Sequence, residues 1–155
     1  MLEKKKINKF GEHYLLGIDS DGIKHWLEKP SWQCGWYWGI GYVHTFTNNN
    51  NPEQSKDIQI HYHFKNFEND NRNIYDGFKE KFTESVLSDK ELWTFCELMK
   101  SAYILRSYSD MLYLGGAHYT KNPKKDLIKN PAEYERINKI VLPTIFDEID
   151  KLLTP

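Results

Sequence analysis

Two histidines spaced two apart, His61 and His63 in the run IQIHYHF (Ile58–Phe64), are the residues of this chain best suited by type and spacing to do chemistry. On an extended strand, side chains i and i+2 point the same way. The two imidazoles, with Gln59, therefore share one face and can hold one metal ion or flank one phosphate. A working site needs a third group. His118, in GGAHYT (Gly115–Thr120), is the candidate, with Asp57 or Asp110 as carboxylates. A zinc, iron or manganese ion held by His61, His63 and His118 with one position open would polarise water for hydrolysis of a phosphodiester or nucleotide. The competing expectation is that these are surface histidines or a polar patch against a partner, with no cofactor.

Other chemistry fits less well. His118-Tyr-Thr120 matches the H-x-T tripeptide of two-histidine phosphoesterases, but such enzymes need two copies. His44-Thr-Phe46 and His61-Tyr-His63 both lack the hydroxyl in third place. Cys34 and Cys96 form neither a CxxC nor a zinc spacing, so both are expected to be reduced structural thiols. Cys34 has no basic neighbour to lower its pKa. Asp19-Ser-Asp-Gly22 superficially resembles a calcium loop, but the sixth and twelfth positions counted from Asp19 are Lys24 and Pro30, where glycine and a bidentate glutamate are required.

A second kind of site is suggested by CGWYWGIGYVHTF (Cys34–Phe46), where rings alternate with glycines. A period of two puts Trp36, Trp38, Ile40, Tyr42, His44 and Phe46 on one face. The other carries Gly35, Tyr37, Gly39, Gly41, Val43 and Thr45. Three glycines on one face lose packing area, which suits a bulge, a bend, or close approach by another backbone, a packed segment or a flat ligand.

These residues need elements to position them. HYLLGI (His13–Ile18) and IKHWLE (Ile23–Glu28) flank a turn-forming cluster and predict a β-hairpin. The runs Gly35–Phe46 and Ile58–Phe64 add two strands. Helical spacing follows: Tyr75–Val86 with Phe78 and Phe82 four apart, then a helix opened by the capping box Ser88-Asp-Lys-Glu91, with Leu92, Cys96, Met99 and Tyr103 on one stripe. Gly115-Gly116 is expected to end that helical region. A last helix has Asn130 as N-cap and Pro131 in first position, with Tyr134, Ile137, Val141, Ile145, Ile149 and Leu152 inward, and Pro143 kinking or splitting it. The expected fold is α+β: an N-terminal antiparallel sheet, a hairpin plus two further strands, followed by three to four C-terminal helices packing on the sheet.

The chain of 155 residues is the usual size of one domain, expected to span 1–155. It is 15% aromatic, with 5 Trp, 10 Tyr and 8 Phe, residues that serve cores and interfaces alike. With 21 Lys and Arg against 22 Asp and Glu, no basic field favours nucleic acid. The lysine clusters at Lys4–Lys6 and at Lys121, Lys124 and Lys125 suit solvated ends and loops. The N-terminus shows no secretion signal and no apolar run approaches a membrane span, so a cytoplasmic protein is expected. Abundant Lys, Asn, Ile and Tyr suit an AT-rich coding genome.

WLEKPSWQCGWYWGIGYVHT (Trp26–Thr45), together with GGAHYT, resembles small proteins of low-GC bacteria and their phages and mobile elements, a group with no assigned activity. Small, motif-poor proteins of this kind are often binding proteins, including anti-CRISPR-like inhibitors of host defence. The resemblance therefore implies a non-enzymatic protein that occludes a partner protein. Trp32, Trp36, Tyr37, Trp38, Tyr62 and Tyr119 are the candidate anchors, beside Gly39 and Gly41. The alternatives are the histidine hydrolase described above and a nucleotide-binding sponge, with a base stacked on Tyr37 over the glycine face.

Overall fold

Asp19 builds the first turn. Its Oδ1 accepts the N–H groups of Asp21 at 2.9 Å and Ile23 at 3.0 Å, and Gly22 completes the turn with φ 78°, a left-handed conformation that suits glycine. In the computed structural model, which describes residues 2–7, 13–28, 43–46, 57–59, 72–113 and 125–155, this turn joins strands β2 (His13–Asp19) and β3 (Lys24–Glu28). The expected hairpin is present.

Strand β1 (Lys6–Ile7) pairs with the start of β2, while β4 (Val43–Phe46) and β5 (Asp57–Gln59) extend the sheet beyond β3, every pairing antiparallel. The strand order is β1-β2-β3-β4-β5. Of the two further strands expected, only Val43–Phe46 and Asp57–Gln59 belong to the described residues; Gly35–Tyr42 and Ile60–Phe64 lie outside them.

The next segment departs from expectation. Helix α1 (Arg72–Lys81) stops before Phe82, and Phe82–Ser85 forms strand β6, antiparallel to β2, instead of continuing a helix to Val86. Gly17 explains the change. A Cβ there would lie 2.7 Å from Glu84 O and from the Phe82 ring, so the bare backbone of β2 lets β6 and its ring approach. Thr83 Oγ1 adds donation to Ile18 O at 3.1 Å.

Helix α2 (Asp89–Leu112) starts at the expected capping box: Glu91 N–H donates to Ser88 Oγ, and Ser88 N–H to Glu91 Oε1, each at 3.2 Å. It ends at Leu112, before Gly115-Gly116, which lie outside the described residues. Tyr113 leaves in an extended conformation and bridges to Ile128.

Asn130 caps α3 (Pro131–Arg136), accepting Glu133 N–H from a left-handed conformation that asparagine tolerates. The split expected at Pro143 takes the form of a π turn, Ile137–Val141, leading into α4 (Leu142–Leu153). Leu142 N–H donates to Ile137 O, five residues back. The wider turn inserts one residue, so the buried stripe becomes Ile137, Leu142, Phe146, Ile149 and Leu153. Val141 and Ile145, expected inside, are only partly covered, because a uniform 3.6-residue period does not hold across the turn.

The fold is thus α+β, with an N-terminal antiparallel sheet and C-terminal helices. The main core joins Tyr14, Leu16 and Leu27 of the sheet to Phe78, Phe95, Cys96, Met99, Ile149 and Leu153 of the helices. Each such large apolar side chain gains about 1.5–3 kcal/mol from burial. Tyr14 Oη–H donates to Asp150, tying α4 to the sheet. The other sheet face carries a smaller cluster of Leu15, Trp26 and Val86, with Leu2 and Ile7 against it.

Candidate functional site

Of the candidate residues named from the sequence, His61, His63, His118, Trp32, Trp36, Tyr37, Trp38, Gly39, Gly41, Tyr62 and Tyr119 lie outside the described residues, whereas the candidate carboxylates Asp57, at the start of β5, and Asp110, on α2, lie within them. What the structure defines is how their segments join the sheet. Leu27 pairs with Val43, and His44 with Gln59, so the start of β4 and the end of β5 sit at the same end of the sheet. The ring-and-glycine run leads into β4 at Val43, and the histidine run leaves β5 at Gln59. Both therefore meet the sheet at one end, on adjacent strands. Ile7 of β1, the buried His13 of β2 and Glu28 of β3 are paired in register at that end too.

The opposite end carries a polar pair that the sequence motifs did not single out. His25 Nε2 lies 2.8 Å from Asp19 Oδ2, with the imidazole fully buried and the carboxylate mostly so. Because the carboxylate has no proton to give, the neutral ring donates from Nε2. Phe82 meets the ring edge-on, with centroids 5.2 Å apart. Burial lowers the His25 pKa, against the raising effect of Asp19, and the Lys81 cation lowers it further. Burial pushes the Asp19 carboxyl up, but His25 and the Ile23 and Asp21 N–H groups together outweigh it and hold the group below its usual value. An aspartate beside a histidine could orient a general base. Here the ring has no solvent face, and the pair fastens the hairpin turn under β6. Its sequence signal was a histidine six residues after a turn-closing aspartate, across the hairpin.

A second polar cluster lies where α2 meets the π turn. Arg106, buried on α2, has its Nε 3.5 Å from Asp110 Oδ1 one turn later. Asn138 Nδ2–H donates to the buried Ser109 Oγ at 2.6 Å and to Tyr134 O at 2.9 Å. Burial pushes the Tyr134 phenol up, Arg106 opposing and Asp110 adding to the shift. Asp110, considered a carboxylate ligand, is thus held beside Arg106; its proposed partner His118 lies outside the described residues.

Cys96 is fully buried, and burial, reinforced by Glu97, raises its thiol to about 12, as a structural cysteine requires. Among the described residues no three His, Cys, Asp or Glu side chains converge as a metal site, and no helix is long and apolar enough to cross a membrane. No protein-family model, curated protein or solved structure matches the chain.

Proposed function

We propose that this chain is a binding protein that occludes a partner protein through its ring-and-glycine segment. The observation that supports this function is the antiparallel register of β3, β4 and β5, which puts Val43, where the chain from Trp36, Tyr37 and Trp38 enters β4, and Gln59, where the chain toward Tyr62 leaves β5, at the same end of the sheet. Tryptophan and tyrosine suit anchoring in a partner's pockets, because they contribute large contact area with few rotamers to freeze. The described core is built from other rings, among them Tyr14, Trp26, Phe78, Phe95 and Phe146. The partner class implied by the resemblance is a host-defence nuclease, and that is the first class to assay.

The test is affinity capture from bacterial lysate on the immobilised full chain, beside Trp32→Ala/Trp36→Ala/Trp38→Ala and His61→Ala. A protein retained by the wild type and His61→Ala, and lost from a still-folded triple variant, is the expected result. Equal retention on all three surfaces refutes occlusion by these rings.

A further inference from the structure

The fully buried ring of His25 is sealed by an element that is lightly held. Four elements surround it. Strand β2 contributes Asp19 and sets Gly17 opposite His25 in register, β4 sets the uncharged Thr45 opposite it, α1 ends in Lys81, and β6 begins with Phe82, edge-on to the ring. Among the described residues, Asp19 and Lys81 are the charged groups that act on the imidazole. Of the four elements β6 is the least anchored. It is four residues long, pairs with β2 alone among the described strands, and leaves Thr83 and Glu84 exposed. Short segments with few buried contacts open locally at less cost than the whole fold.

We propose that β6 is a proton-operated strap: protonation of His25 releases Phe82–Ser85 from β2 while the hairpin and the helical core stay folded. The two charges move differently on opening. Asp19 belongs to the same hairpin as His25 and stays with it, whereas Lys81 and Phe82, consecutive at the α1–β6 junction, leave together. In the closed state burial and Lys81 oppose protonation, Asp19 favours it, and the net effect holds the ring below its ordinary 6.5. Opening admits water and removes Lys81 but keeps Asp19, so the open-state pKa lies above 6.5. The open state therefore binds the proton more tightly, and acidification favours it between the two values. Opening also leaves the Gly17–Asp19 edge of β2 unpaired. The strap lies at the end of the sheet away from Val43 and Gln59, and it does not depend on occlusion by the rings.

The test is native-state amide hydrogen exchange on the full chain from about pH 7.5 to about pH 5, at several low urea concentrations. Protection of the β6 amides bonded to β2 should start to fall above pH 6.5, by at most about tenfold per pH unit, and should hardly respond to urea, because a local opening exposes little surface. Cys96 and Met99 amides in α2, and Asp19 N–H, which donates to Ile23 O at 3.0 Å, should be better protected and urea-sensitive, with a decline that begins only below pH 6.5. His25→Gln should abolish the pH response of β6. Lys81→Gln, at a partly exposed position, should end that response at a higher pH, since it removes a cation felt only in the closed state. Equal protection and urea dependence of β6 and α2 at every pH overturns the proposal. A β6 pH response that survives His25→Gln, or that Lys81→Gln leaves unmoved, overturns it as well.

Discussion

His25 and Asp19 face each other across the β2–β3 turn, with Nε2 2.8 Å from Oδ2 and the imidazole completely enclosed. The native state resists protonating this ring, so its pKa lies below the ordinary 6.5. The unfolded chain therefore takes up a proton first as pH falls below about 6.5, and stability declines until the depressed native pKa is passed. Asp19 acts in the same direction at lower pH, its native carboxylate staying ionised below the ordinary 3.8. Unfolding free energies from urea titrations run from pH 7.5 downward should drop on acidification, by at most about 1.4 kcal/mol per pH unit for one proton. His25→Gln, which keeps a donor for Asp19, should be flatter just below pH 6.5. Parallel profiles for the two proteins would show that this pair does not set the acid response.

Gly17 gives a prediction about β6. Alanine there puts a Cβ 2.7 Å from the backbone oxygen of Glu84 as well as from the Phe82 ring. The ring can move, whereas the carbonyl belongs to the strand pairing. Gly17→Ala should cost about 1–3 kcal/mol in urea unfolding. Adding Phe82→Leu should recover only part of it. Full recovery would mean that the ring, and not the strand approach, demands glycine at this position.

Metal content separates the binding protein from the hydrolase. Occlusion by rings needs no ion, so elemental analysis of the untagged chain should find only trace zinc, iron or manganese, unchanged in His61→Ala/His63→Ala. About one equivalent in the wild type, lost from the double variant, would transfer those histidines to the metal-dependent reading.

The elements that the sequence made legible are those whose signals are local. The Asp19–Gly22 turn, the Ser88–Glu91 capping box and the Asn130-Pro131 helix start each act within a few residues and appear as expected. Phe82–Ser85 was not legible, because its strand pairing depends on Gly17, far away in sequence, leaving room for Phe82, while the Phe78/Phe82 spacing alone reads as helix. The pairing of His25 with Asp19 was open to the sequence only through the hairpin: once the Asp19–Gly22 turn is set, the register carries the histidine six residues later back to the aspartate, a signal that no local motif states.

Pro143 shows how a local signal can fix an interruption without fixing its form. Proline has no N–H to donate, and its ring clashes with the carbonyl four residues back, so an unbroken α-helix through this position would cost about 3 kcal/mol. The π turn before it avoids that conflict, because Leu142 already reaches back five residues to Ile137 and Pro143 begins a fresh helix. The same extra residue selects Leu142 for the core after Ile137. Deleting the exposed Lys139 should restore ordinary helical spacing between Ile137 and Leu142 but place Pro143 inside a continuous helix. The deletion alone should therefore lower the unfolding free energy by about 3 kcal/mol, and combining it with Pro143→Ala should return most of the loss. Pro143→Ala in the full-length chain should change little, since the π turn already accommodates the ring. If the deletion is as damaging with alanine as with proline at position 143, the turn exists for packing against α2 through Asn138 and Ser109, not to accommodate proline.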